Sequence, residues 1–571
     1  MKKIFAYLKP HIPRMTVGLT IKFIGTIMDL LLPWILAYMI DDVVPLRNVP
    51  MILWWGATML FCSVLAVVTN IIANRMAARV ARNTTEALRH DLFSKISYLS
   101  CAQIDEFTIP SLESRLTSDT YNIHQMIGMM QRMGVRAPIL LLGGVLVTFT
   151  LEPVLTLVLV CVLPFIGYIV WRVSKKGIPL YTQLQRAVDN MVRTVRENAS
   201  GIRVIKALSK TDYEKKRFAD ANAHVVEKEK KAGITMALTN PMMNLFLNLG
   251  LTLVIIVGAY RVNAGVTQAG KIIAFLSYFT IILNAMLSVT RIFVMYSKGS
   301  ASAGRISLVL DAPADLTLRT AEPVETDNHI IFEHVSFSYH KHKENLTDIS
   351  FSLKRGQTLG IIGATGCGKS TLINLLMRLY DADSGRIFIN GKPIESIDAA
   401  QLHEMFGVVF QNDILFADTI ASNIDLGRGL SRERLEEAAA HAQAADFIGA
   451  LPDGLDHMLT SKGTNVSGGQ KQRILLARAF AANPEILILD DSSSALDYKT
   501  DARLRGEIRK HYQNTTTVIV AQRVSSIKHA DHILVLEEGR VIGSGTHVEL
   551  MKTCETYQEI SKTQMGGGEV A

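Results

Sequence analysis

Nine consecutive residues, Gly363, Ala364, Thr365, Gly366, Cys367, Gly368, Lys369, Ser370 and Thr371, fit the pattern G-x-x-x-x-G-K-[ST]. They follow the apolar stretch QTLGII and precede the helix-like TLINLLMRLY. In a strand-to-helix turn of this kind the glycines let backbone N–H groups curl around phosphates, the lysine reaches the outer phosphate oxygens, and the hydroxyl faces a divalent cation. Binding of ATP with Mg²⁺ is the chemistry expected of Lys369 and Ser370. A second run, EILILD, is apolar enough for a strand buried on both faces. It ends in Asp490, where a carboxylate at the C-terminal edge of a parallel strand can face the same cation. Asp491 follows at once. A third run, NVSGGQKQRILLARAF, opens a helix with Ser467, Gly468, Gly469 and Gln470, which sets further N–H groups at the positive end of a helix dipole. One chain cannot easily bring both phosphate-binding ends to one phosphate. The economical arrangement is a dimer in which Ser467, Gly468 and Gly469 of one subunit close over the phosphate held by the other.

The elements that must position these residues begin after about residue 310, where the composition changes. A polar, proline-containing linker, DAPADLTLRTAEPVETDNH, gives way to β-rich runs such as HIIFEHVSFSY and TLGIIG alternating with helical patterns, the mark of an α/β domain. The expected division is 1–310, a linker over 311–328, and a nucleotide-binding domain over 329–571. A chain of 571 residues is too long for one core. Its apolar residues, 49% of the whole beside 20% charged, are concentrated in the first 300 positions. Six apolar runs there, approximately 15–40, 51–74, 126–150, 154–173, 236–262 and 272–296, each come near the roughly 20 residues that a helix needs to cross a bilayer. Lys22, Asp29, Arg132 and Arg136 interrupt them. The expected fold class is a multidomain membrane protein: an all-α six-helix transmembrane domain followed by an α/β P-loop NTPase domain.

Basic residues near the spans set the expected orientation, because such residues stay cytoplasmic. Lys2, Lys3, Lys9 and Arg14 precede the first span, Arg75, Arg79, Arg82 and Arg89 follow the second, and lysines crowd the segment after the fourth. Both termini and the nucleotide-binding domain are therefore expected in the cytoplasm of a multi-pass plasma-membrane protein, with Arg261 and Lys271 a minor dissent on the last outer loop. The N-terminal MKKIFAYLKPHIPRM lacks the apolar core of a cleavable signal and reads as an interfacial lead-in. The inner stretches, about 75–125 and 174–235, keep one apolar face at helical spacing, so the spans are expected to continue below the membrane as stalks. Breaks at SCAQIDEFTIPS and ENASGIRVIKALSK would place a transverse helix at each tip, able to touch a cytoplasmic domain. Five cysteines form no CxxC pair, which argues against disulfides and a thiolate metal site. The net charge of +8 is accounted for by the inner flanks of the spans, and no aromatic–basic interleaving points to nucleic acid.

With these motifs in this order, the chain resembles a bacterial ABC exporter half-transporter along nearly its whole length. The resemblance implies that Tyr339 in FSYHK stacks on adenine, that Gln411 in VVFQNDILF senses magnesium and the membrane domain, and that SALD, ending in Asp497, is the D-loop. It also exposes two departures. The family ends its second acidic strand in Asp-Glu, where the glutamate polarises the attacking water; here the pair is Asp490-Asp491. The family's switch histidine is replaced in AQRVSSI by Gln522. The LTSKG stretch before the signature departs as well. A carboxylate withdrawn by one methylene can cost about 100-fold in rate, and glutamine supplies none of the imidazole's acid–base help. With VSGGQ intact, the pattern resembles the degenerate-site subunit of a heterodimeric multidrug exporter: a slow site of its own, and a signature that completes a different half-transporter's competent site. A homodimer exporting lipid or peptide, and an ATP-gated regulatory or channel subunit, remain open. The expected partners are a second half-transporter, membrane lipids and an amphipathic small-molecule substrate. Asp29, if it faces a cavity, favours cationic amphiphiles, but a structural pair with a neighbouring charge is equally open. The cluster MIGMMQRM reads as ordinary helix packing.

Overall fold

A computed structural model describes residues 1–339, 344–492 and 496–565. His340 and Lys341 of FSYHK, and Ser494 and Ala495 of SALD, lie outside the described residues. The chain forms two compact units, one of Met1–Tyr98 with Ile109–Ala312, the other of Leu99–Thr108 with Pro313–Ala571.

Six helical passages in the first unit are long and apolar enough to cross a membrane: Lys2–Leu46, Val49–Ser97, Ile109–Leu151, Pro153–Ser200, Pro241–Asn263 and Ala269–Leu310. The Val49–Ser97 helix starts where the Asn48 side chain accepts a hydrogen bond from the Met51 N–H and Pro50 occupies the first turn. Its 49 residues extend about 74 Å at 1.5 Å each, more than twice the ~30 Å of a bilayer's hydrocarbon. The helix is thus longer than one crossing requires. Leu30, Leu155, Leu159, Phe275, Tyr278, Phe279 and Ile282 form the buried core of the unit. Gly250 is obligatory beside it, since a Cβ there would lie 2.3 Å from the Phe279 ring. Near Pro33, which cannot donate to the helix ladder, the Leu30 carbonyl accepts the Tyr278 hydroxyl at 2.5 Å.

Polar side chains tie the ends of these helices together. Asp41 accepts from the Gly270 and Lys271 N–H groups at 2.6 and 2.9 Å, closing the N-terminus of the Ala269–Leu310 helix. Glu152 pairs with Arg261 at 2.8 Å, which gives the basic residue of the last loop a structural partner. Asp119 takes both a nitrogen pair from Arg305 and the Ser302 hydroxyl.

Among its described residues the second unit carries two sheets. The antiparallel sheet is ordered β2-β1-β4-β5, with β1 Asn328–Phe337, β2 Leu346–Lys354, β4 Ser384–Ile389 and β5 Lys392–Pro393. The larger sheet is ordered β10-β9-β3-β8-β7-β6, with β3 Thr358–Gly363, β6 Phe406–Val409, β7 Ile486–Asp490, β8 Thr516–Val520, β9 His532–Glu537 and β10 Arg540–Gly545. All its pairings are parallel except that of the edge strand β10. Every residue of β7 is buried, as its unbroken apolar run requires.

Leu99–Thr108, the first predicted break, joins this unit through the short helix Cys101–Phe107. Ser100 and Gln103 close a reciprocal capping box at its start. Gln103 then donates to the Pro313 carbonyl at 2.6 Å, Ser100 to Asp315 at 2.5 Å, and the Tyr380 hydroxyl to Asp105 at 2.6 Å. The second break, with its helix Ile202–Ala207, stays in the first unit.

Candidate active site

Four adjacent strands end at one edge of the larger sheet. Ile361 of β3 and Asp490 of β7 are both in register with Val520 of β8, and β6 lies beyond β7. The phosphate-loop sequence leaves β3, Gln522 follows β8, Asp490 ends β7 with Asp491 next after it, and Gln411 follows β6. A parallel sheet gathers its ligands at this carboxyl edge. The strand order, more than any single motif, brings these residues together.

They line a cavity of about 270 Å³ with Thr365, Gly366, Gly368, Lys369, Ser370, Thr371 and Asn345. Gly366 and Gly368 adopt φ of +86° and +105°, and a Cβ on Gly368 would sit 2.8 Å from the Asn345 carbonyl oxygen, so the loop closes only with glycine there. The Lys369 Nζ donates to the Gly363 and Ala364 carbonyls at 2.8 Å each. The Ser370 hydroxyl donates to Asp490 Oδ2 at 3.0 Å, two oxygen ligands of the kind a hard divalent cation takes. Asp490 is 4% exposed. Burial raises its carboxyl above the ordinary range, the Ser370 hydrogen bond opposes that, and the Asp491 charge adds to it.

Asp491 holds φ at +50°, a left-handed conformation that aspartate tolerates better than most residues, with its N–H on the Val520 carbonyl at 2.9 Å. Its Oδ2 accepts from the Gln522 amide at 2.9 Å. Burial raises this carboxyl too, against the pull of Lys369, Arg523, Gln411 and Gln522.

The other predicted residues stand elsewhere in the unit. Cys367, 6% exposed, packs in the hydrophobic core rather than facing the cavity. Tyr339 meets Phe337 and Tyr380 edge-on at 4.8 and 5.0 Å, and its hydroxyl lies 3.5 Å from Thr371 Oγ1. It lines a neighbouring groove. Ser467 and Gln470 close a capping box at the head of the Gly468–Ala481 helix, and Asp497 caps the Tyr498–His511 helix by accepting from the Thr500 N–H at 2.9 Å. Ser467, Gly468, Gly469, Gln470 and Asp497 do not line the cavity of this chain. Two residues were missed by sequence reasoning. Asn345 carries no motif, and Arg523, although it stands beside Gln522 in AQRVSSI, was assigned no role; packing brings the first to the loop and the charge of the second to bear on Asp491.

A loop, acids and glutamines at one sheet edge, in a chain that also carries six membrane-length helices, define an ATP-driven membrane transporter. Residues 15–286 match the family model described as ABC transporter transmembrane region and residues 346–494 the one described as ABC transporter. The chain belongs to the ABC transporter family, as an ATP-binding, ATP-hydrolysing half-transporter that spans the membrane several times. Half-transporters of this family work as dimers. It is 35% identical to the uncharacterized ABC transporter ATP-binding protein YfiB of Bacillus subtilis over 99% of both chains. It is 30% identical to the putative ABC transporter ATP-binding protein exp8 of Streptococcus pneumoniae over 99% of this chain and 97% of that one. Its fold is that of a bacterial Atm1-family ABC exporter solved with ATP bound, with a TM-score of 0.82 and 24% identity over 98% of this chain and 99% of the other.

Proposed function

We propose that the chain is one half of a heterodimeric exporter of amphipathic small molecules, with a slow ATP site of its own and a signature that completes its partner's fast one. The observation that carries this reading is the Gln522 amide donating to Asp491 at 2.9 Å. A carboxylate one methylene short, with a φ of +50° and already engaged by a neutral donor, is a poor base for water. Gln522 can orient Asp491 but can neither take nor pass its proton.

The residues present fit magnesium: Ser370 and Asp490 would hold it directly, with Gln411 on the same cavity wall. When bound, the ion supplies charge neutralisation between the phosphates. Lys369 trades its two carbonyl partners for phosphate oxygens, and the glycine-bounded turn supplies N–H groups. Tyr339 and its aromatic neighbours offer the adenine a face. Ser467 and Gln470 satisfy one another at the head of their helix, which leaves the Gly468 and Gly469 N–H groups for the partner's γ-phosphate. Closure of the two ATPase domains, biased by the higher affinity of the closed state for ATP, would reach the membrane helices through Cys101–Phe107. The apolar Ile202, Val204 and Leu208 at the second break are exposed, a face of the kind that a second subunit covers. The basic inner flanks support a cytoplasmic ATPase domain and termini.

The test is ADP production by the complex after the partner's own base carboxylate is changed to its amide. Turnover near zero supports the slow-site assignment; brisk turnover from this chain's site refutes it.

A further inference from the structure

We infer that the cavity inside the membrane-spanning unit takes the anionic head of an amphiphile. This rests on the proposed export function and gives it a substrate class. The cavity, about 400 Å³, is lined by Lys22, Asn74, Arg132 and Arg136 on its polar side and by residues such as Met133 and Leu140 on its apolar side.

Its charges do not balance. Asp29 pairs with Arg136 at 3.0 Å, which uses the acid as a structural partner and leaves two cations over. Lys22 is only 2% exposed, and its Nζ donates to a neutral acceptor, Asn74 Oδ1, at 3.1 Å. Arg132 Nε donates to the Gly128 carbonyl of its own helix at 3.1 Å. Arg136 Nε is buried with no hydrogen-bond partner. Among the described residues, neither Lys22 nor Arg132 has a carboxylate within ion-pair distance. A cation buried at membrane depth without a counter-charge is costly, and the cost falls when an anion enters.

The backbone contributes. Pro138 lacks the N–H that would reach the Gly134 carbonyl, and the helix is interrupted between Met133 and Arg136. The interruption places Arg136 at the first residue of the next helical segment, on the wall of the cavity. Met133 and Leu140 then suit the apolar body that follows an anionic head. The preference is the reverse of the one Asp29 by itself suggests.

The test uses the full-length protein, with its partner where the two co-purify, in phosphatidylcholine nanodiscs without nucleotide. Radiolabelled hexyl sulfate and hexyltrimethylammonium are compared over empty-nanodisc background. Hexyl sulfate should bind at least about tenfold tighter, the scale of one desolvated charge pair. Lys22→Gln and Arg132→Gln should each weaken it about as much, while binding of a fluorescent ATP analogue to the second unit stays unchanged. Equal or reversed affinities in the unaltered protein would overturn the inference, and so would wild-type hexyl sulfate binding in both variants. The comparison in the unaltered protein stands even if a variant fails to fold. Repeating it in phosphatidylglycerol nanodiscs separates two sources of the same anionic class. Lost binding identifies a membrane headgroup as the occupant, and retained binding a transported amphiphile. Because no ATP is present, failure of ATP-driven transport would leave this result intact.

Discussion

Asp491 and Gln522 form one hydrogen-bonded unit, so their substitutions should not add independently. Asp491→Glu with Gln522→His is expected to raise ATP turnover at this site by about 100-fold, measured in a complex whose partner site is inactivated. Asp491→Asn by itself should change the slow rate little. Asp490 allows a pH prediction. Its folded pKa is raised by burial, so the stability it contributes is complete below the ordinary aspartate pKa and is lost as pH rises through the folded value. At neutral pH, with neither nucleotide nor divalent cation, the ionised group therefore destabilises. Asp490→Asn should raise the melting temperature of the full chain by about 2–4 °C, lower its loss of stability between acid and neutral pH, and abolish the magnesium dependence of ATP binding.

At the scale of elements, the head of the Gly468–Ala481 helix serves the fold and the proposed partner site at once. Ser467→Ala removes the acceptor for the Gln470 N–H and should cost about 1 kcal/mol of stability together with the partner site's hydrolysis. Ser467→Asp restores a capping acceptor but sets a negative charge where the partner's phosphate would lie. Denaturant titration should show recovered stability, and the ATPase assay should show none. Much of this was legible: apolar length locates the six passages, and motif context and an unbroken apolar run locate the phosphate-loop sequence and β7. Less legible was the fate of the two breaks. Both are short, yet only Leu99–Thr108 packs with the second unit, because Gln103, Ser100 and Asp105 meet acceptors and donors more than 200 positions away.

For the whole molecule, the proposal requires two unequal subunits around one pair of nucleotides. Inside-out vesicles holding this chain with its partner should accumulate an amphiphilic dye when ATP is added, and vesicles holding this chain by itself should not. A gated channel would equilibrate the dye without concentrating it. Equal accumulation by the lone chain would make it a homodimer and would remove the reason for a degenerate site.

Local pattern in the chain determined which chemistry was possible: the glycine-rich loop, the buried strand ending at Asp490 with Asp491 after it, the signature sequence, the glutamine at the switch position and six spans are all written in runs shorter than about 30 residues. Tertiary structure decided which of those groups act on one another. Ser370 meets Asp490 across 120 positions, and Arg136 meets Asp29 across 107. The second contact turns an acid that suggested a cationic substrate into the partner of an arginine. No periodicity carries that information, because the energy of a buried charge depends on which charges the fold places beside it.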